Sequence, residues 1–454
     1  MYKRQGAEKR PSFVIGRIAR LLPSISVETE SADKEYRLSA KSTALEYAGE
    51  HIGGALWQYF EGQGDAERAL AAMKDAARYT RGHLSRDAVR ALYGGAVTLS
   101  ASRMDMARSC HFAYFMRYGL KARERTGAGF DAPQIGTFVH DVMEHTLRQA
   151  KECGGLHTLS KDKLHALVRA SIEEYIDRVL PDLCEKSARF RYLFNRLCAT
   201  VERIMDEVSE ELQGSDFEPL AFELEFGADG QLPAITIREE NGTARVVGKV
   251  DRVDGWLHDG KLYLRVVDYK TGKKSFDLAE LRYGLGLQML LYLFTLKEEG
   301  QMLFGGHEIV PAGVLYTPAR EPMLRCARDT EPETIEKALK KELRRSGMVL
   351  EDPAVLQAME HSALESPCYL PIAVKRDGAV TGSLASAEQL GKLSKYVDHI
   401  LHEITQEVFA GNIDADPYAR TPQQSACTYC EFASACHFEN GLSLIHISEP
   451  TRRS

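Results

Sequence analysis

The residues most able to do chemistry in this chain lie within positions 245–270, RVVGKVDRVDGWLHDGKLYLRVVDYK, which reads as two strands joined by a polar turn. Side chains alternate along a strand, so Leu262, Leu264 and Val266 share one face, and that face continues into Asp268 and Lys270. Charges in an inward-facing row are costly unless they are paired or hold a metal. Asp251, on the preceding strand, supplies a second carboxylate. An Asp on one strand and an Asp-x-Lys on the next can hold a divalent cation, orient water and stabilise charge developing on a phosphoryl group. That is metal-dependent phosphodiester hydrolysis. The same residues also fit a surface hairpin with a salt bridge, since Asp-x-Lys is common and structural pairs perturb ionisation too.

Several elements must position these groups. Residues 136–147, GTFVHDVMEHTL, carry a helical stripe of Phe138, Val139, Val142, Met143, Thr146 and Leu147, with His140 beside it. A lone helix histidine is ordinarily structural, and only conjunction with the carboxylates makes it a metal ligand. A long helical stretch over 161–212, broken near Pro181, precedes strands at 220–226 and 234–238. Downstream, Asp277 and Glu280 form a capping pair for a helix expected over 278–297. Gln288 and Tyr292 interrupt its apolar surface one turn apart, and buried polar groups in line need partners, which the catalytic strand or a nucleotide would supply. Residues 309–316 read as a strand, 317–385 as a polar insertion, and 387–409 as the last helix.

With 44% hydrophobic and 27% charged residues, the composition is that of an ordinary globular protein, and 454 residues suit two or three units or one core with insertions. The formal charge of −7 gives no overall attraction to a polyanion, so a nucleic-acid site must rest on local basic groups and metal. Arg117, Lys121, Arg123 and Arg125 either track phosphates or form a solvated face. No apolar run spans a membrane and no secretion signal opens the chain, which makes the cytoplasm the default location. No G-x-x-x-x-G-K-[ST] loop occurs, so an ATP site within this chain is not expected. The opening MYKRQ and the closing SLIHISEPTRRS look like translated sequencing-adapter sequence, so residues 1–5 and 443–454 are set aside as non-native. Residues 6–98 read as a mostly helical segment from a larger subunit, with more chain expected upstream.

Nine cysteines, an odd number without a secretion signal, argue against a disulfide framework. Five are scattered, whereas Cys427, Cys430 and Cys436 form C-x2-C-x5-C. Cys110 precedes the aromatic run Phe112, Tyr114, Phe115 and Tyr118, and by itself is an ordinary buried small side chain. Taken alone, C-x2-C with two further thiols fits tetrahedral zinc.

In order along the chain, residues 136–140, GKVDRVD with Asp251, DYKTG with Asp268 and Lys270, Gln288-x3-Tyr292, and one early cysteine with a late C-x2-C-x5-C together resemble the RecB-like branch of the PD-(D/E)XK nucleases. Within that branch the chain is similar to the C-terminal nuclease region of the AddB family, over about residues 99–440. Each motif is weak alone, and the ordered set is specific. The resemblance implies an α/β fold with a restriction-endonuclease-like core, a mixed central sheet flanked by helices. It implies that Asp251 and Asp268 bind Mg2+ with the backbone carbonyl of Tyr269 and with His140. Lys270 would position the attacking water, and Gln288 and Tyr292 would hold the catalytic strand or touch DNA. Cys110, Cys427, Cys430 and Cys436 would ligate a [4Fe–4S] cluster that pins the two ends of the nuclease domain. His111 stands where relatives usually carry proline after that first cysteine.

The implied activity is exonucleolytic processing of double-strand DNA ends for recombinational repair, alongside an AddA-type helicase–nuclease partner, with the 5′-ended strand as substrate. Two alternatives are a free-standing RecB-like iron–sulfur nuclease of the CRISPR-adaptation type and a non-catalytic DNA-binding scaffold. The helical lead-in weighs against the first, and the intact Asp251, Asp268 and Lys270 against the second.

Overall fold

The alternating apolar pattern of the central sequence resolves, in a computed structural model, into strands β1 (Ala96–Leu99), β2 (Glu218–Phe226), β3 (Ile235–Glu239), β4 (Gly242–Val246), β5 (Gly248–His258), β6 (Lys261–Lys270), β7 (Glu308–Pro318) and β8 (Ser346–Leu350). The structure describes residues 13–24, 38–77, 81–123, 132–227, 230–272, 274–324, 326–327, 330–421, 424–436 and 438. The two terminal segments set aside above lie outside the described residues, as does Arg125. The chain divides into two units, one of residues 93–105 and 125–407, the other of residues 1–92, 106–124 and 408–454.

The first unit is built on a six-stranded mixed sheet in the order Leu384–Ala385, β8, β7, β6, β5, β2. β6 and β7 run parallel, while β2–β5, β5–β6 and β7–β8 are antiparallel. Asp259 and Gly260 join β5 to β6 at φ values of 48° and 76°, the two-residue turn whose twist matches the flanking strands. From Leu264 to Tyr269 every residue of β6 is buried, so the strand is covered on both faces and not only on the one carrying Asp268. A second sheet has the order β1, β4, β3, with β1 parallel to β4.

Two expectations are corrected here. Residues 317–385 are not a separate insertion, because β8 and Leu384–Ala385 complete one edge of the main sheet. A five-residue strand, SGMVL, flanked by charge has too little periodicity to announce itself. The helix expected over 278–297 is two helices, Leu278–Leu281 and Gln288–Glu299. Gly284 and Gly286 take φ values of 76° and 68° between them, a conformation that ends a helix, and Gln288 therefore opens the second helix.

Helices cover the sheet where the sequence places them. Helix Ala132–Glu152 buries Phe138, Val139, Val142 and Met143 completely, which contributes about 1.5–3 kcal/mol for each side chain. Helices Lys161–Val179 and Ala188–Gln213 are separated at Pro181, and Ser160 and Ser187 cap them by accepting from Lys163 N–H and Phe190 N–H. The last long helix is Ala387–Phe409. In the other unit, helices Lys41–Glu50, Ala55–Phe60 and Gly64–Ala77 pack around Trp57, Phe60 and Leu70. Residues 96–99, placed in the helical lead-in by sequence, are instead strand β1 of the first unit. Among the described residues, no helix is long and apolar enough to cross a membrane.

Candidate active site

The peptide group of Tyr269 is the centre of the candidate site. Its N–H donates to Asp251 Oδ2 at 2.9 Å, and its carbonyl accepts from His140 Nε2 at 2.9 Å. The other ring nitrogen, His140 Nδ1, lies 3.4 Å from Asp251 Oδ2. Burial works against the imidazolium, but the hydrogen bond and charge of Asp251 overcome it and raise the His140 pKa to about 9. His140 comes from helix Ala132–Glu152, where its place beside the buried stripe aims it at the ends of β5 and β6.

Asp268 and Lys270 lie on either side of Tyr269 along β6 and on the opposite face from its ring. Lys270 Nζ is 2.6 Å from Asp268 Oδ2, and Gln288 Nε2 donates to Asp268 Oδ1 at 3.2 Å. Burial lifts the Asp268 pKa to about 6, Asp251 adds to the rise, and Lys270 opposes it. Gln288 also donates to Tyr292 Oη at 3.4 Å, so the two polar residues of the helix do find partners at the catalytic strand. Gly248 lets Tyr292 approach β5, and Tyr292 meets Phe226 edge to face at 5.2 Å. An open cleft of about 590 Å³ leads away from these residues, lined by Ser100, Ser102, Phe226, Lys249, Gln288 and Tyr292.

Glu223 is a site residue that sequence reading did not single out. Its strand β2 pairs Phe222 with Arg252 and Leu224 with Val250, which brings Glu223 alongside Asp251. Among the described residues, the one group of three metal-ligating side chains whose donor atoms all lie within 4.8 Å of one another is His140, Glu223 and Asp251. Burial raises the Glu223 pKa, and its ion pair with Lys249 at 2.5 Å opposes the rise. The residue holds φ at 48°, a left-handed conformation uncommon outside glycine, which marks a locally constrained backbone. Only the register of β2 on β5 reveals it.

Carboxylate and carbonyl oxygens with one imidazole suit a hard divalent cation. The 2.9 Å between His140 Nε2 and Tyr269 O also matches the ~3 Å separation of two adjacent ligands around an octahedral ion at ~2.1 Å. The residues present therefore fit Mg2+.

The four cysteines lie in the other unit. Cys110 and Cys436 share an apolar cluster with Phe112, and Arg81 reaches the backbone carbonyl of Cys436 and stands 3.8 Å from its Sγ. Burial pushes the Cys110 thiol up to about 12. Burial also raises Cys427 to about 11, and its neighbours Cys430 and Cys436 add to the rise. His111, in place of proline, donates its backbone N–H to Asp416 Oδ1 at 3.0 Å and sets Nδ1 2.6 Å from Asp416 Oδ2. Among the described residues no three cysteine sulfurs lie within 4.8 Å of one another. Tetrahedral zinc with Zn–S near 2.3 Å would draw them to about 3.8 Å, so this spacing suits a larger cluster better.

Residues 98–437 match the model of the PD-(D/E)XK nuclease superfamily. The chain is similar to the B-type subunit of the ATP-dependent helicase/deoxyribonuclease of Ruminiclostridium cellulolyticum, 31% identical over 98% of this chain and 41% of the relative. It is also similar to the proteins of the same name from Acetivibrio thermocellus, 32% identical, and Caldanaerobacter subterraneus subsp. tengcongensis, 29% identical, each over 96% of this chain and 40% of the relative. The chain thus spans about two-fifths of the length of these relatives. With three-quarters of its length matched by that model, the chain belongs to the PD-(D/E)XK nuclease superfamily.

Proposed function

We propose that this chain is the nuclease part of a two-subunit helicase–nuclease and hydrolyses phosphodiester bonds at DNA ends with Mg2+. One observation carries the reading. His140 and the Asp251, Asp268 and Lys270 set meet around the peptide group of Tyr269, although His140 and Tyr269 are 129 positions apart. Asp251, Asp268, His140 and the Tyr269 carbonyl hold the cation, with Glu223 alongside. Bound there, Mg2+ supplies Lewis acidity toward a phosphoryl oxygen and makes water more acidic.

The protein groups divide the remaining work. Lys270 hydrogen-bonds the attacking water and offsets the negative charge that builds on the phosphoryl oxygens. Gln288 holds the second oxygen of Asp268, which keeps the carboxylate aimed. Tyr292 and the adjoining cleft receive the DNA strand. Cys110, Cys427, Cys430 and Cys436 hold a [4Fe–4S] cluster whose role is structural, joining segments over three hundred residues apart. Likeness to the helicase/deoxyribonuclease relatives supports an AddA-type partner, action on the 5′-ended strand and a cytoplasmic location. The test is degradation of linear DNA by the purified chain. Mg2+ should support it, EDTA should stop it, and Asp268→Ala or Lys270→Ala should lower it at least about a thousandfold while the circular dichroism spectrum is kept. Undiminished cleavage by folded Asp268→Ala protein defeats the assignment.

A further inference from the structure

Directly behind the candidate site, on the other face of β5 and β6, five charged side chains are buried with almost no water contact. Arg252, Asp254 and Arg265 are 0% exposed, and Glu211 and Arg345 are 3% exposed. Arg252 Nε and Arg265 Nε lie 2.8 Å from opposite oxygens of Asp254. Arg345 donates to Glu211 Oε2 at 2.7 Å, and Arg265 Nη2 approaches Glu211 Oε1 at 3.3 Å. The cluster thereby links both strands to helix Ala188–Gln213 and to the residue preceding β8. Three guanidinium groups face two carboxylates. Desolvating so many charges is expensive, and well-packed apolar side chains would often serve stability as well or better. What such a cluster does supply is one fixed geometry.

That geometry is delivered to a single residue. Arg252 Nη1 donates to Tyr269 Oη at 2.7 Å, and Tyr269 is the residue whose N–H and carbonyl contact Asp251 and His140. Alternation places Arg252 next to Asp251 in sequence and on the opposite face, and places Tyr269 between Asp268 and Lys270 in the same way. We propose that Arg252 is a positioning residue for the cation site, clamping the Tyr269 ring so that its peptide group stays in register with His140 and Asp251. The inference rests on the proposed cation site, and neither Arg252 nor the Tyr269 hydroxyl touches the cation.

The test uses the full chain and Mn2+ alone, titrated calorimetrically at a temperature where circular dichroism shows every protein folded. Tyr269→Phe removes only the hydroxyl and should weaken Mn2+ binding about tenfold, the usual order for loss of an outer-shell partner. Arg252→Lys keeps the charge but not the fork, and should weaken it to a similar extent. Should Arg252→Lys not fold, Tyr269→Phe decides alone. Wild-type affinity in folded Tyr269→Phe overturns the positioning role while leaving the cation site standing. A wild-type chain that binds no Mn2+ overturns both.

Discussion

Gly248 lies directly against Tyr292: a Cβ at this position would stand 2.5 Å from Tyr292 Cε1 and equally close to Phe226 Cζ. The glycine of GKVDRVD is therefore a steric requirement of the helix that carries Gln288 and Tyr292, and both rings are too well packed to yield freely. Gly248→Ala should cost about 1–3 kcal/mol of stability through overpacking. Because the same helix aims Gln288 at Asp268, turnover should fall more than DNA affinity does. Thermal melting with steady-state kinetics separates the two effects.

Cation affinity should depend on pH in two steps. Protons on Asp268 and on His140 compete with the cation, and binding must release them. The Asp268 pKa is raised by burial to about 6 and that of His140 by Asp251 to about 9. Affinity should therefore drop by up to about tenfold per pH unit as pH falls below about 6, and should still rise between pH 7 and about 9. Mn2+ titrations from pH 5 to 9 read this directly, and a flat profile would count against both ligands.

The cysteine site should be separable from the nuclease site. Anaerobically purified chain should be brown and carry iron and sulfide, and Cys430→Ser should lose both and melt at lower temperature. Asp268→Ala should keep the iron while losing cleavage. Stoichiometric zinc in place of iron would contradict the assignment.

Much of this was legible in the sequence because it rests on local rules. The period of residues 136–147, the break at Pro181 and the Asp259–Gly260 turn each depend on neighbours a few positions away. Order of motifs did the rest for His140, Asp251, Asp268 and Lys270. What escaped depends on register between distant strands. Glu223 faces Asp251 only once β2 is laid on β5, and Arg252 clamps Tyr269 only once β5 is laid on β6. β8 was hidden for the same reason, since its partner Val314 lies thirty-four positions before Met348.

The account stands on one cation site assembled around Tyr269, and anomalous diffraction from crystals of the full chain soaked in Mn2+ tests it most directly. One strong peak is predicted at coordination distance, roughly 2.0–2.5 Å, from Asp251, Asp268, His140 Nε2 and the Tyr269 carbonyl. A peak elsewhere, with these four groups still in contact with one another and no density between them, would contradict it.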